Sequence, residues 1–180
     1  MLFRSAWCRI LRAVPDSRLL LNAPEGGNRE RIRDYFAEEG INPGRLRFTG
    51  TVPIEDYFKL YHQVDVALDS FPRGGGTTIC DALWMGVPVV SLAGETALSR
   101  AGLSILSNAG LPELVAHDPM EYASIASTLA KDLPRLKSLR SSLRPRLELS
   151  PLMDAKRLAH GVEAAYLTMW QAWCARGISV

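Results

Sequence analysis

Residues 64–84 read Val64-Asp65-Val66-Ala67-Leu68-Asp69-Ser70-Phe71-Pro72-Arg73-Gly74-Gly75-Gly76-Thr77-Thr78-Ile79-Cys80-Asp81-Ala82-Leu83-Trp84. The pattern predicts a short apolar strand, then a loop with three glycines, then a helix that begins at two threonines. Glycines let the backbone turn sharply and approach a ligand, and a helix N-terminus offers free N–H groups with a partial positive charge. The stretch therefore predicts an anion site, most simply for a diphosphate.

Short apolar strands alternate with helices on both sides of this stretch. The predicted strands cover residues 18–22, 46–50, 64–68, 87–92 and 113–116. The predicted helices between and before them cover residues 3–13, 28–39, 53–63, 77–85 and 98–108. This alternation is typical of a parallel sheet with right-handed crossovers and helices on both faces. We expect an α/β fold with a doubly wound, Rossmann-like sheet.

The pattern becomes wholly helical from residue 119, with helices predicted over 119–131, 133–148 and 152–175. We therefore expect a Rossmann-like domain over residues 1–150 and a C-terminal helical segment over residues 151–180. The last helix carries an apolar stripe that needs a partner, either an edge of this domain or a lobe outside it. The stripe consists of Leu158, Val162, Ala165, Tyr166, Met169, Trp170 and Trp173.

Length and composition exclude several classes of protein. A chain of 180 residues allows one domain plus an appendage, and 21 Lys and Arg against 19 Asp and Glu leave a net charge of +2. Nucleic acid is therefore not the expected partner. The three cysteines form no metal-binding pair, which fits a reducing cytoplasm. No signal peptide is expected, because the N-terminal apolar run is short and is broken by Arg9 and Arg12. No membrane span is expected, because no run of 18 apolar residues occurs.

Three side chains near the glycines suit a nucleotide. Thr77 and Thr78 can donate their hydroxyls to phosphates, and Asp81, one helical turn later, can accept hydrogen bonds from ribose hydroxyls. The loop has neither the Lys of a Walker motif nor the spacing of GxGxxG. The alternative is a plain structural turn in which Thr77 caps the helix.

The sequence resembles the C-terminal catalytic lobe of the protein O-GlcNAc transferase (SPINDLY-type) glycosyltransferases over nearly the whole chain. The segments that carry the resemblance are Asp65-Val66-Ala67-Leu68-Asp69-Ser70-Phe71-Pro72, Gly75-Gly76-Thr77-Thr78, Asp81-Ala82-Leu83-Trp84-Met85-Gly86-Val87-Pro88-Val89-Val90, Gly94-Glu95-Thr96 and Gly110-Leu111-Pro112-Glu113-Leu114-Val115-Ala116. The resemblance implies a GT-B fold, in which two Rossmann-like domains face a cleft and the C-terminal one holds UDP-GlcNAc. It also implies transfer of the sugar to Ser or Thr hydroxyls of a protein, with inversion and without a metal or other cofactor.

The resemblance assigns roles to five residues of the glycine loop and the helix after it. Gly75, Gly76, Thr77, Thr78 and Asp81 correspond to the family's contacts with the diphosphate and the ribose. Gly76 stands where animal members have a His that touches the phosphates. One donor is therefore missing, although the backbone amide at this position remains.

Two further residues are implied on the nucleoside side. Tyr57 falls where animal members have a His that packs against the nucleoside, so its ring is expected to stack on uracil or, as the alternative, to pack on a helix surface. Val52 aligns with a residue that contacts uracil through its backbone. Ile54 replaces a Lys of the animal proteins, which predicts a lower nucleotide affinity or altered pyrimidine recognition.

The N-terminal half of the family has no counterpart in this sequence. That half contains the TPR repeats, the first Rossmann-like domain and the Lys that neutralises the leaving diphosphate, so no catalytic base is assigned here. The preferred hypothesis is the donor-binding lobe of such an enzyme, either a separately encoded piece, a truncated piece or an excised domain, which would be active only with its other half. The alternatives are an inactive UDP-sugar-binding or protein-interaction module, and a different GT-B enzyme of the epimerase kind.

Overall fold

The strands of the molecule are short and pair only in parallel within residues 2–176, the part of the chain that the computed structural model describes. Apolar, mostly branched residues form them, as expected of strands that are covered on both faces. They are β1 (Leu19–Asn22), β2 (Leu46–Thr49), β3 (Ala67–Leu68), β4 (Val89–Leu92) and β5 (Val115–Ala116).

Helices connect the strands and then continue alone to the C-terminal end. Short 3-10 turns precede or follow several of them, at 61–63, 98–100 and 151–153 among others. The helices are α1 (Leu2–Ala13), α2 (Gly27–Glu38), α3 (Ile54–Leu60), α4 (Thr77–Trp84), α5 (Ala101–Asn108), α6 (Pro119–Lys131), α7 (Leu133–Glu148) and α8 (Ala155–Ala175).

All five strands are shorter than the sequence predicts, and three of them are shorter by two residues or more. The strand expected at 87–92 begins only at Val89, because Pro88 has no N–H to donate and contributes only its carbonyl, which accepts from the Ala67 N–H at 2.9 Å. The strand expected at 64–68 is correspondingly limited to Ala67–Leu68. At 113–116, a 3-10 turn over Pro112–Leu114 takes the first residues, so β5 has two.

The strands form two groups. β1 pairs with β2 with Leu19 opposite Leu46, and β3, β4 and β5 pair in that order with Ala67 opposite Val89 and Ser91 opposite Val115. β1 and β3 lie on either side of a gap and do not pair. The predicted α/β fold with parallel strands is confirmed, whereas the single continuous sheet is divided at this gap.

The buried side chains fall into two clusters that match the two groups of strands. The larger surrounds β4 and includes Val90, Leu106 and Tyr122, which are fully buried. The smaller lies between α1, α2 and β2 and includes Phe36, whose ring is also fully buried. Trp7 of α1 packs against both clusters and thereby joins the two halves.

The C-terminal helix α8 differs from the rest, because every residue from 155 to 176 is exposed. The side chain of Asp154 caps it by accepting from the Arg157 N–H at 2.9 Å, and Trp170 stacks on Trp173 with ring centroids 5.2 Å apart. The predicted apolar stripe is present and solvent-facing, and it covers no edge of the domain. Residues 177–180 of the predicted C-terminal segment lie outside the described residues. Within residues 2–176, no helix has both the length and the apolar character needed to cross a bilayer.

Candidate functional site

The glycine loop connects β3 to α4, as predicted, and leads to an open helix N-terminus. Gly76 is the N-cap residue of α4, and no side chain caps this helix within the described part of the chain. Thr77 and Thr78 form its first turn and are exposed. The alternative in which Thr77 is the capping residue is therefore wrong. Free first-turn amides beside two hydroxyls form a suitable seat for an anion.

A buried carboxylate holds this loop in place. Asp69, at the carboxyl end of β3, accepts from the Gly75 N–H at 2.8 Å and from the Ser91 hydroxyl at 2.6 Å. The Tyr122 hydroxyl donates to the backbone carbonyl of Asp69 at 2.8 Å. Burial raises the pKa of the Asp69 carboxyl, and the hydrogen bonds from Ser91 and Gly75 partly oppose that rise. The loop conformation thus depends on one carboxylate anchored in the core.

The two predicted glycines of the loop differ in the space around them. A Cβ atom on Gly75 would overlap the Thr78 hydroxyl, so only glycine lets this hydroxyl lie against the loop. A Cβ atom on Gly76 would have no neighbour within 4 Å. A methyl group at Gly75 would therefore displace the Thr78 hydroxyl, whereas Gly76 faces open space at the helix N-terminus.

Asp81 is linked to α3 and to the 3-10 turn that follows it through a pair of tyrosines. The Tyr57 hydroxyl donates to Asp81 Oδ2 at 2.9 Å and lies 2.7 Å from the Tyr61 hydroxyl, which in turn is 3.5 Å from the Thr78 carbonyl. Burial and the hydrogen bonds with Tyr61 and Asp81 raise the pKa of Tyr57, so its hydroxyl stays protonated and can donate. Asp81 is half-buried and directed toward the side of the molecule where α3 lies.

A cavity of about 340 Å³ opens beside Tyr57, at the carboxyl ends of β1 and β2. Ligands of open α/β sheets bind at this end of the strands, and the volume suits a small ring system. Its lining residues are Asn22, Gly50, Thr51, Val52, Ile54, Tyr57 and Leu60.

The structure brings the predicted residues into one region. Val52 and Tyr57 line the same cavity, and Tyr57 connects it through Asp81 to the helix that begins with Thr77 and Thr78. Within residues 2–176, no three His, Cys, Asp or Glu side chains are grouped so as to hold a metal ion.

Sequence reasoning missed three residues of this region. Asp69 and Ser91 anchor the loop, and Tyr61 shares the hydrogen bonds of Tyr57. A polar residue at the end of one buried strand and a serine within the next were signals for the first two. The pairing of Tyr57 with Tyr61, four residues apart, was visible as a helical spacing.

Comparison with known proteins gives a family match. The model of glycosyl transferase family 41 matches residues 3–162 of the chain. The probable UDP-N-acetylglucosamine–peptide N-acetylglucosaminyltransferase SPINDLY of Oryza sativa subsp. japonica is 38% identical over 172 residues, 93% of this chain and 19% of that protein. The UDP-N-acetylglucosamine–peptide N-acetylglucosaminyltransferase of Caenorhabditis elegans is 37% identical over 168 residues, 93% of this chain and 14% of that protein.

A solved structure agrees with the sequence relatives. A mutant of the O-GlcNAc transferase of Thermobaculum terrenum superposes with a TM-score of 0.88 at 38% identity, covering 95% of this chain and 34% of that chain. The chain thus spans about a third of this relative and less than a fifth of the two curated ones. The resemblance inferred from the sequence is confirmed, and the chain belongs to glycosyl transferase family 41.

Proposed function

We propose that this chain is the donor-binding lobe of a protein O-linked N-acetylglucosaminyltransferase that holds UDP-GlcNAc and acts together with a second lobe. One observation carries the proposal. The cavity beside Tyr57, the Asp81 carboxylate and the open N-terminus of α4 follow one another at the carboxyl ends of the strands. Their order matches the order of base, ribose and diphosphate in a nucleoside diphosphate.

The diphosphate would bind at the start of α4. The amides of Thr77 and Thr78 and their exposed hydroxyls can donate to phosphate oxygens, and the helix N-terminus adds a partial positive charge. Gly75 and Gly76 let the backbone approach the phosphates. No metal is part of the proposal, because these donors and the helix end would neutralise the diphosphate without one.

The nucleoside would occupy the cavity next to the diphosphate. Asp81 would accept from the ribose hydroxyls, since the carboxylate has acceptor positions left after the bond from Tyr57. Tyr57 and Val52 both line this cavity. The Tyr57 ring would form one wall for the base, and the Val52 backbone would bond to a pyrimidine. The cavity therefore favours a single-ring base.

The proposed reaction is a substitution at the anomeric carbon of the sugar. An acceptor Ser or Thr hydroxyl forms the new C–O bond, the bond from that carbon to the diphosphate breaks, and the electron pair leaves with UDP. The hydroxyl proton passes to a base outside this chain, and the configuration inverts. The chain would supply the seat for the leaving UDP, so we expect catalysis only when the acceptor-side lobe is present.

Calorimetric titration with UDP and UDP-GlcNAc tests the proposal directly. We expect binding by the wild-type chain and at least a tenfold loss on Asp81→Ala, because the ribose hydroxyls lose a charged acceptor. The matched control is Asp34→Ala, which removes an exposed carboxylate from α2 and should leave affinity unchanged. Heat absent with both ligands, or equal affinities of wild type and Asp81→Ala, would contradict donor binding. Binding that survives EDTA treatment would agree with a metal-free site.

The second candidate is an inactive module that binds UDP-sugar weakly or docks a protein partner. The exposed stripe of α8, including Tyr166, Met169 and Trp170, favours it, because a stripe of this kind requires a partner. In our proposal the stripe packs on the second, acceptor-side lobe. If that lobe is encoded separately, it would also carry TPR repeats. Transfer of sugar from UDP-GlcNAc to a Ser/Thr peptide after mixing with that lobe decides between the two. A cytoplasmic location belongs to the same proposal and agrees with the three free cysteines.

A further inference from the structure

Arg140 of α7 holds the 3-10 turn that follows α3. Its side chain is exposed, yet Nη1 donates to the Val64 carbonyl and Nη2 to the Tyr61 carbonyl, at 3.0 Å each. The Val64 N–H in turn donates to the Tyr61 carbonyl at 3.3 Å, so the guanidinium spans both ends of this turn. The donors of a guanidinium form a rigid planar fork, so Arg140 fixes the two carbonyls relative to α7.

The Tyr61 side chain extends this restraint to the candidate donor site. Its hydroxyl lies 2.7 Å from the Tyr57 hydroxyl, and the two rings meet edge to face with centroids 5.4 Å apart. The Tyr57 hydroxyl then donates to Asp81 Oδ2 at 2.9 Å. A tyrosine ring is rigid and turns about two torsions only, so the place of its backbone largely sets the place of its hydroxyl. A continuous path of contacts therefore runs from Arg140 to Asp81.

Helix α7 also holds α4, the other element of this path. A Cβ atom on Gly86, just after α4, would lie 2.6 Å from the Arg140 carbonyl oxygen, so the two backbones are in close contact. One turn later on α7, the Arg144 guanidinium lies over the Trp84 ring, 4.4 Å from its centroid. Since Arg140 binds the turn after α3 at the same time, α7 sets the separation between that turn and α4.

We propose that Arg140 is a positioning residue for nucleotide binding, which acts on the ribose contact of Asp81 through the two tyrosines. Arg140 lies outside the cavity that would hold the nucleoside, so it acts through other residues and not by touching the ligand. Without its guanidinium, the turn after α3 loses its attachment to α7, and the hydroxyl that orients Asp81 loses its fixed place. This inference rests on the proposed function and adds to it a residue on the outer surface of the chain.

Three variants and two nucleotides test this role by calorimetric titration. Arg140→Met removes the donors and keeps an unbranched apolar stem, whereas Arg140→Lys keeps the charge but has one amine for two carbonyls. The matched control is Arg135→Met, which removes an arginine of the same helix that pairs with Glu113 at 3.2 Å. The ligands are UDP and 2′,3′-dideoxy-UDP, which has no ribose hydroxyls to offer to Asp81.

We expect Arg140→Met to bind UDP roughly three- to tenfold more weakly than wild type, with Arg140→Lys between the two and Arg135→Met equal to wild type. The dideoxy nucleotide should bind all four chains with the same affinity, because it makes no ribose contact that could be lost. Unchanged UDP affinity in Arg140→Met would overturn the proposal. An equal loss for both nucleotides would also overturn it, since a general distortion of the cavity would then be the cause.

A double-mutant cycle tests the path from Arg140 to Asp81. In a Tyr57→Phe background the hydroxyl that orients Asp81 is already absent, so adding Arg140→Met should cause no further loss of UDP affinity. Non-additive losses of this kind are expected only for residues that act through one another. Losses that multiply in the double variant would contradict the path through the tyrosines.

A measurement without nucleotide separates this inference from the proposed function. Tyrosines are labelled with carbon-13 at Cζ, whose NMR shift responds to hydrogen bonding of the hydroxyl. Arg140→Met should move the Tyr57 and Tyr61 signals and leave that of the exposed Tyr166 in place. Unmoved Tyr57 and Tyr61 signals in a chain that binds UDP would refute the positioning role alone. Moved signals in a chain that binds no UDP would refute the donor site alone, since the path from Arg140 to Tyr57 would still be present.

Discussion

The hydroxyl of Tyr57 donates a 2.9 Å hydrogen bond to Oδ2 of Asp81. This bond joins α3 to α4 at the point where the cavity beside β2 meets the glycine loop. The carboxylate is consequently oriented before any ligand arrives. An oriented acceptor loses less conformational entropy on binding than a free side chain, so the bond would favour the ribose contact that we propose for Asp81.

Replacing Tyr57 with Phe should weaken UDP binding by roughly three- to tenfold, because a hydrogen bond to a charged group is lost while the ring wall of the cavity remains. Isothermal titration calorimetry measures the effect. Tyr166→Phe, which removes an exposed hydroxyl from α8, is the matched control and should bind as wild type does. An unchanged affinity in Tyr57→Phe would show that Asp81 needs no orientation.

Gly75→Ala should reduce UDP affinity at least tenfold, since the new methyl group would overlap the Thr78 hydroxyl and displace it from the phosphate seat. Gly27→Ala adds the same methyl group at a position with no neighbour within 4 Å. That control should retain both affinity and unfolding temperature. Wild-type affinity in Gly75→Ala would mean that the Thr78 hydroxyl takes no part in binding.

Gly76→His should increase UDP affinity, because the open space at this position admits the side chain and a cationic imidazole can donate to a phosphate. The gain should be larger at pH 6 than at pH 8, since the pKa of free histidine is about 6.5. Gly76→Ala adds only the methyl group and should match wild type at both pH values. A gain that does not depend on pH would exclude the charged imidazole as its cause.

The stability of the protein should depend on pH through Asp69, and the direction of the change follows from the raised pKa of its carboxyl group. Its carboxyl pKa in the folded state is raised above the ordinary value of 3.8, so the stability linked to this group is fully present below that value and lost as the pH rises through the raised pKa. We expect the free energy of unfolding, measured in urea relative to Asp69→Asn, to fall over that pH range. A rise over the same range would contradict the direction of the shift.

Asp69→Ala should destabilise the chain by about 1–3 kcal/mol, because the Gly75 N–H and the Ser91 hydroxyl lose their acceptor in a buried position. It should also weaken UDP binding, since the loop loses its anchor. Asp69→Asn retains an acceptor for Gly75 and should be closer to wild type in both measurements. If the Ala variant kept wild-type affinity, the loop would be held by other contacts.

The fold follows from local signals where those signals are periodic. The alternation of apolar strands with helices predicts the parallel α/β arrangement, and α6 and α7 occur at the predicted residues 119–131 and 133–148. The division of the sheet could not be predicted, because the pairing of β1 with β2 says nothing about the other edge of β1. Strand ends next to Pro88 and Pro112 were misplaced, since a proline contributes a carbonyl but no N–H.

The site follows from sequence only where residues lie close together in the chain. The spacing of Thr77, Thr78 and Asp81 places them on one short helix. The bond between Tyr57 and Asp81 joins residues 24 positions apart and depends on how α3 packs beside α4. The Asp69–Ser91 bond spans 22 positions, and no local pattern indicates it.

Because α8 is exposed along its whole described length, it shares no buried surface with the core. The chain therefore contains two thermodynamically separate parts, a cooperative unit that ends near Asp154 and a helix whose stability is its own. A helix without tertiary packing lacks the main source of helix stability in proteins and relies on local pairs such as His160 with Glu163, 3.4 Å apart. Heating should accordingly melt α8 first and gradually, at temperatures that substitutions such as Asp69→Ala do not change.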